Sequence, residues 1–370
     1  MKLTVLQENL ISGLLRVGHC VSTKPQLPVL GNVLFKTDKG RLKLSTTNLE
    51  IGINVWVGAK IEKEGAITIP ARILTEFVSS LSAGKIEVEV EGMTFKILSG
   101  PSEAKINGVS ADEFPVVITE GVKKLADFEE ALLVKIIDKV CFAAATDEGR
   151  PVLTGVLMVF NEKGIRAAAT DGYRLSVVDA EIGAGIKREL ILPAKMLMEV
   201  SRAIKGEGET EGGRVGMFLT EKDNQVVFRK DEVEVVSRLI EGRFPEFEKI
   251  VPDEKKTRVW WDREEFLRAV KTASIFARDS ANIVRIKVDK KECLISANAE
   301  QVGENRCRVV GRVEGKEDEI AFNYKYLMDF LNTFDEEEVV FEMNGPLSPG
   351  VFKSKKKGYL HIIMPVRVQG

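Results

Sequence analysis

The segment Leu27–Phe35, LPVLGNVLF, returns 123 positions later as Arg150–Met158, RPVLTGVLM. Two further pairs of segments keep the same spacing: Thr46–Glu50 with Ala169–Tyr173, and Ile69–Arg72 with Leu192–Lys195. One spacing shared by three pairs of segments indicates that the chain is built from tandem repeats.

The last third of the chain repeats the pattern more loosely, in the segments Ile283–Val288, Ser296–Glu300 and Phe322–Lys325. A chain of 370 residues is also too long for one ordinary hydrophobic core. We therefore predict three repeats, over residues 1–120, 121–252 and 253–370. The polar stretches Ile118–Ala126 and Pro252–Arg258 are the predicted joints.

Each repeat is predicted to contain two helices and alternating strands. The first helices are Gln7–Val21, Asp127–Ala144 and Asp262–Ala277, and the second helices are Ala71–Leu81, Ala194–Ile204 and Tyr324–Phe334. Asp127 and Asp262 each precede a glutamate by three residues, which is the spacing of a capping box. Segments such as Ile86–Glu91 and Val233–Ser237 alternate as half-buried strands do. Two helices on one face of antiparallel sheets, three times over, make an α+β architecture.

Composition excludes several classes of protein. The chain is 44% hydrophobic and 30% charged, as soluble globular proteins are, and no apolar run is long enough to span a bilayer. The N-terminal residues become polar too early for a secretory signal, so a cytoplasmic location is expected. Two histidines, four widely spaced cysteines and no phosphate-binding loop argue against a metal site, a cofactor or a catalytic constellation.

A surface corner is predicted at Ala169–Leu175, ATDGYRL, where a turn-forming Asp-Gly pair follows the apolar strand Ile165–Ala168. Taken alone, such a corner is usually a plain loop. The net charge of −2 shows that any nucleic-acid contact must depend on where the basic residues lie. Lysines and arginines recur on the predicted helices of all three repeats, which favours a common positive surface that attracts phosphates without reading bases.

Four motifs together resemble the family of bacterial sliding clamps, the beta subunits of DNA polymerase III holoenzyme: LPVLGN at Leu27–Asn32, TDGYRL at Thr170–Leu175, GRFPEF at Gly242–Phe247 and MPVR at Met364–Arg367. The resemblance runs from Met1 to Val368. It implies a ring of two chains joined head to tail, with helices lining the hole and sheets forming the outer wall. Such a ring encircles double-stranded DNA and tethers the replicative polymerase as a processivity factor without catalysis of its own.

The resemblance also implies three sets of site residues. A pocket for short peptides of the replicative polymerase, the clamp loader and repair polymerases would comprise Arg150, Leu153, Thr170, Gly172, Tyr173, Arg174, Leu175, Pro245, Ile250, Asn323, Tyr326, Leu347, Met364, Pro365, Val366 and Arg367. DNA would contact Lys24, Arg72, Arg150, Lys195 and Arg202. The contact between chains would involve Phe77, Leu81, Ile275 and Phe276.

Several positions depart from the family pattern. Glu103 and Ala104 stand where an aromatic and a basic residue are frequent at the contact between chains, and Lys249 stands where an arginine is frequent beside the pocket. Gly149 offers no side chain to DNA, and Gln369-Gly370 extend past the usual end.

Two rival functions remain open from the residues themselves. A DNA-processing enzyme would use Asp171 and nearby acids with a metal ion. A scaffold would bind proteins and never DNA.

Overall fold

The computed structural model of the chain describes residues 1–21, 27–115, 117, 121–183, 186–205, 212–220, 224–252, 254–290, 292–355 and 358–367. Among the residues singled out above, Lys24, Gln369 and Gly370 lie outside these ranges. No helix within the described ranges has the length and apolar character that crossing a membrane requires.

Residues of the first predicted repeat form two helices and nine strands in the described part of the chain. Their bounds are β1 (Lys2–Leu6), α1 (Gln7–Gly18), β2 (Asn32–Asp38), β3 (Arg41–Thr47), β4 (Ile51–Val57), β5 (Ala59–Lys63), β6 (Ala66–Pro70), α2 (Ala71–Ser80), β7 (Lys85–Glu91), β8 (Thr94–Ser99) and β9 (Ser102–Asn107).

The second predicted repeat continues the numbering. Its elements are β10 (Val122–Glu129), α3 (Glu130–Val140), β11 (Gly155–Asn161), β12 (Gly164–Thr170), β13 (Arg174–Ala180), β14 (Arg188–Pro193), α4 (Ala194–Ile204), β15 (Arg214–Thr220), β16 (Gln225–Lys230) and β17 (Val233–Arg238).

The third predicted repeat completes the chain. Its elements are β18 (Thr257–Asp262), α5 (Arg263–Ala277), β19 (Ile283–Val288), β20 (Glu292–Ala299), β21 (Gly303–Gly315), β22 (Asp318–Asn323), α6 (Tyr324–Thr333), β23 (Glu338–Met343), β24 (Gly350–Lys353) and β25 (Tyr359–Ile363).

Two predicted helix starts have different outcomes. Asp262 caps α5, because its side chain accepts a hydrogen bond from the backbone N–H of Glu265, as the sequence predicts. The predicted start at Asp127 is wrong: Asp127 lies in β10 and pairs with Gly216 of β15. Phe128, next to it, is fully buried. Pairing with a strand about ninety residues away therefore outweighs the local capping signal. β10 also occupies most of the first predicted joint, Ile118–Ala126.

Within the chain, contacts define two compact units. The first comprises Met1–Val134 with Lys195–Leu239, and the second comprises Lys135–Ala194 with Ile240–Gly370. The second predicted repeat therefore contributes residues to both units.

The first unit holds a five-stranded sheet, in the order β5-β1-β7-β8-β9, and an eight-stranded sheet, in the order β10-β15-β16-β17-β4-β3-β2-β6. All of their strand pairs are antiparallel. Phe35 and Phe95 meet edge to face in its core, with ring centroids 5.2 Å apart.

The second unit is built on a twelve-stranded sheet, in the order β14-β11-β12-β13-β25-β24-β23-β18-β21-β20-β19-β22. Its aromatic core includes Trp261, stacked between Phe266 and Phe341 at centroid distances of 4.3 Å and 5.3 Å. The pairing of β13 with β25 brings the predicted corner beside the C-terminal strand. All of the residues of the predicted peptide pocket lie in this unit.

Candidate functional site

The corner after β12 is built by short-range hydrogen bonds. Thr170 donates its hydroxyl to the carbonyl of Arg174 (2.6 Å) and accepts from the N–H of Gly172 (3.0 Å). Oδ1 of Asp171 accepts from the N–H groups of Tyr173 (2.9 Å) and Arg174 (3.0 Å). Gly172 has a φ of 93°, which a glycine adopts without strain. The turn leaves the ring of Tyr173 60% exposed.

Asp171 is fully engaged by the turn that contains it. Besides its two backbone bonds, its Oδ2 accepts from Nε of Arg174 at 3.0 Å. Among the described residues, no group of three or more His, Cys, Asp or Glu side chains could hold a metal ion. The hydrogen bonds of Asp171 thus assign it a structural role in the corner.

Arg174 anchors the corner to α6. Its Nη1 donates to Asp329 at 2.5 Å, and its guanidinium lies 4.7 Å from the ring centroid of Tyr326. Its side chain is 11% exposed. Burial, and next the charge of Asp171, raise the pKa of the Tyr326 hydroxyl, so this ring stays neutral beside the guanidinium. Arg174 therefore holds the corner against α6, and most of its own side chain is buried.

The residues after β25 run from the corner toward α6. The N–H of Met364 donates to the carbonyl of Tyr173 at 2.8 Å, and the N–H of Val366 donates to the carbonyl of Ala321 at 2.8 Å. Met364 is 37% exposed. Asn323 begins α6, and its side chain accepts from the N–H of Lys325, which is an N-cap interaction. Backbone hydrogen bonds thus tie the residues after β25 to the corner at Tyr173 and to β22, the strand that directly precedes α6.

Leu175 lies at the floor of this region. It is 2% exposed and opposite Ile362 in the β13–β25 ladder. Both belong to one apolar cluster with Phe244 and Phe247. Pro245, between these two aromatic residues in sequence, is exposed. Ile362, Phe244 and Phe247 are floor residues that the sequence prediction missed, although the alternation along β25 and the GRFPEF motif carry the signal for them.

Arg150 lies above the corner. A Cβ atom at Gly172 would be 3.8 Å from Nη1 of Arg150, so the guanidinium and the turn are neighbours. Leu153 is buried in the 3-10 turn Pro151–Thr154, and its backbone N–H donates to the carbonyl of Arg150 at 2.9 Å. We use the name cleft for the predicted pocket residues Leu153, Thr170 to Leu175, Pro245 and Met364, taken together.

The remaining predicted pocket residues are partly or largely exposed to solvent. Ile250 is 42% exposed, at the end of the 3-10 turn Phe247–Ile250, and Leu347 is 63% exposed, in the loop that joins β23 to β24. Pro365 is half-buried and Arg367 is exposed.

Three of the predicted DNA-contacting residues, Arg72, Lys195 and Arg202, lie on helices that begin after Pro70 and Pro193. Arg72 on α2 donates from Nε to the carboxylate of Glu76 at 2.8 Å, and this hydrogen bond raises the pKa of the guanidinium. Arg202 on α4 pairs with Glu199 at 2.5 Å. Lys195 is exposed in the first turn of α4. The two arginines thus each have an acidic neighbour on the same helix face.

The residues predicted at the contact between chains lie near the ends of two helices. Phe77 and Leu81 are half-buried at the end of α2. Ile275 is 57% exposed and Phe276 is half-buried near the end of α5. Both helix ends therefore carry apolar side chains that are at least partly exposed to solvent.

Known proteins similar to this chain belong to one family. Family models described as the DNA polymerase III beta subunit match the chain three times: the N-terminal domain at residues 1–118, the central domain at 127–246 and the C-terminal domain at 248–367. A curated beta sliding clamp from Synechocystis sp. is 31% identical over the full length of both chains.

Solved structures agree along the whole chain. The DNA polymerase sliding clamp from Bacillus subtilis is 27% identical, covers all of both chains and gives a TM-score of 0.92. A sliding clamp from Pseudomonas aeruginosa bound to griselimycin is also 27% identical over both full chains, with a TM-score of 0.90.

Proposed function

The chain belongs to the family of DNA polymerase III beta subunits, and from this premise we propose that it is a sliding clamp, encircling duplex DNA without sequence specificity and tethering the replicative polymerase for processive synthesis. The observation that carries this function is the full-length match of three consecutive beta-subunit domains. Sliding clamps are processivity factors and not enzymes. The place of action is the cytoplasm.

The ring is proposed to consist of two chains joined head to tail, because heterologous contacts that close give a finite assembly. β9 is an edge strand of the five-stranded sheet. In β21, residues 303–310 pair with β20, while the residues after them pair with β18. Pairing β9 of one chain with residues 303–310 of β21 in the other chain would cover the unpaired edge of each strand. Phe77 and Leu81 would then face Ile275 and Phe276.

DNA is proposed to contact Arg72, Arg150, Lys195 and Arg202, together with Lys24. Cationic side chains on helices attract phosphates without reading bases, which suits a ring that must slide. For Arg72 and Arg202, a phosphate would compete with the carboxylate that each arginine already contacts.

The cleft is proposed to receive short peptides of the replicative polymerase, the clamp loader and repair polymerases. An apolar floor with a few polar anchors at its rim suits the insertion of apolar side chains from a peptide. The bound griselimycin in the Pseudomonas aeruginosa clamp supports a ligand site on a relative.

Retention on DNA of different topology tests the proposed function. The purified chain is loaded with its clamp loader onto nicked circular DNA, which is then linearised or left intact. We expect retention on the circle and loss from the linear molecule, and restored retention when bulky proteins block both ends. Equal retention on open linear and circular DNA would contradict encirclement, and binding to neither at low salt would favour the scaffold function.

A further inference from the structure

A second groove lies in the second unit, next to the cleft. Its volume is about 330 Å³, which is within the range of sites that bind small ligands. Val177, Leu360, Val251 and Phe247 supply its apolar lining. Gly358 lies at one end, where its carbonyl accepts from the N–H of Asp179 at 2.7 Å.

The groove and the cleft share one face of the β13–β25 pair. Leu175 lies opposite Ile362, and two residues farther along each strand Val177 lies opposite Leu360. Residues two apart in a strand point to the same side of the sheet. Ser176, between them, points to the other side, where its hydroxyl donates to the carbonyl of Lys139 at 2.5 Å.

Packing joins the floors of the groove and the cleft. Val177 belongs to the same apolar cluster as Leu175 and Ile362, and Leu360 and Val251 pack against that cluster. Phe247 belongs to the cluster and lines the groove as well. The apolar cluster that packs beneath the cleft therefore also packs beneath the groove.

Charged side chains form the rim of the groove. Arg166 donates to Asp179 through Nε at 2.7 Å and through Nη2 at 3.1 Å, and both side chains are about half exposed. Glu248 lies on the rim as well. An apolar centre with a polar, hydrated rim is the arrangement of a protein-recognition site.

We propose that this groove extends the cleft and takes an apolar side chain from the part of a partner peptide that leaves the cleft at its Leu175 end. This inference rests on the proposed function of the cleft. An extended peptide advances about 3.3 Å per residue, so a side chain only a few residues beyond the inserted segment reaches Val177 and Leu360. The groove thereby distinguishes partners by the residues that flank their inserted segment.

Peptides of two lengths test the proposal. The probes are the segment of the replicative polymerase that binds the cleft, and the same segment lengthened by about six native residues at one end or the other, which span roughly 20 Å. We expect one lengthened peptide to bind about tenfold more tightly than the short one, as burying one aliphatic side chain predicts. Leu360→Thr should abolish this gain and leave the affinity for the short peptide unchanged.

Val159→Thr is the matched control, because Val159 packs against the same cluster but does not line the groove. It should preserve the gain, which separates the groove from general loosening of the cluster. Equal affinities of short and long peptides for the unmodified chain would overturn the extension alone. Failure of the short peptide to bind at all would instead overturn the proposed function of the cleft. A change of oligomeric state in Leu360→Thr would assign the groove to a second copy of the chain and overturn the proposal.

Discussion

The ammonium of Lys139 on α3 lies 2.6 Å from Oδ1 of Asp335, just beyond the end of α6. The two partners differ in exposure: the side chain of Lys139 is 5% exposed and that of Asp335 is 48% exposed. Lys135 contacts the other oxygen of Asp335 at 2.9 Å. Burial opposes ionisation of Asp335, but the hydrogen bonds from the two lysines outweigh it and lower its pKa to about 2.

Substitution of Asp335 and substitution of Lys139 should therefore lower the free energy of unfolding by different amounts. Asp335→Ala leaves the charge of Lys139 buried, and we expect a loss of about 3 kcal/mol in the free energy of unfolding. Lys139→Met leaves Asp335 half exposed to water, so its cost should be about 1 kcal/mol. Urea unfolding of both variants measures the difference, with Glu162→Ala in an exposed pair as a near-neutral control. Equal costs for the two variants would contradict the buried-charge explanation.

His361 should make stability depend on pH. It is fully buried and stacks on Phe330 at a centroid distance of 5.0 Å, and burial, assisted by the charge of Arg174, lowers its pKa to about 3. The unfolded chain takes up a proton at this residue below about pH 6.5, whereas the folded chain does not until about pH 3. This residue's contribution to stability should thus fall between these values, by at most about 1.4 kcal/mol per pH unit.

Urea unfolding of His361→Phe across this pH range isolates the effect. The variant should lose less stability on acidification than the unmodified chain, because it removes the group whose pKa differs between the folded and the unfolded chain. His19→Gln is the control, since His19 is exposed. Identical pH profiles for the unmodified chain and His361→Phe would exclude His361 as the source.

Leu49 occupies the position that Gly172 occupies one repeat later. Both residues have a left-handed backbone, with φ values of 77° and 93°. Such a conformation costs a leucine about 1–2 kcal/mol, and Asn tolerates it better. Because Leu49 is 53% exposed, Leu49→Asn sacrifices little burial and should raise the free energy of unfolding by about 1 kcal/mol. Thermal unfolding measures the gain.

Leu27→Asn is the matched control for backbone strain. Leu27 is 51% exposed and has a φ of −112°, so the same exchange should give no gain. A gain of similar size at both positions would show that the effect comes from lost apolar surface and not from the backbone.

Met364→Glu should weaken binding of a polymerase peptide at least tenfold, because it places a charge in the apolar cleft. Met364 is 37% exposed, so the fold should tolerate the change. A charge at Leu175, by contrast, would disrupt the buried cluster, so a loss of peptide binding could not be distinguished from a loss of folding. Fluorescence anisotropy of a labelled peptide measures the affinity, and Met93→Glu at another exposed methionine is the control. Unchanged affinity in Met364→Glu would count against the cleft.

Much of the cleft could be predicted because its corner is local. Thr170 and Asp171 make their hydrogen bonds to backbone groups within four residues, so the turn can be recognised from a short stretch. The roles of individual residues could not be predicted in this way. Arg174 and Asn323 are predicted to line the pocket, and only the structure adds that Arg174 contacts Asp329 and that Asn323 caps α6.

The amino-acid sequence by itself predicts three repeats, and it determined the turn at Asp171 and the cap at Asp262, because both depend on neighbours a few positions apart. Only the tertiary structure decided that Asp127 belongs to a strand, that Ile362 lies under Leu175 and that Val177 and Leu360 continue that floor. These outcomes depend on strand pairs between residues about 90 to 190 positions apart. Local sequence patterns do not identify the partner of a strand, because strand pairing depends on the packing of the whole sheet.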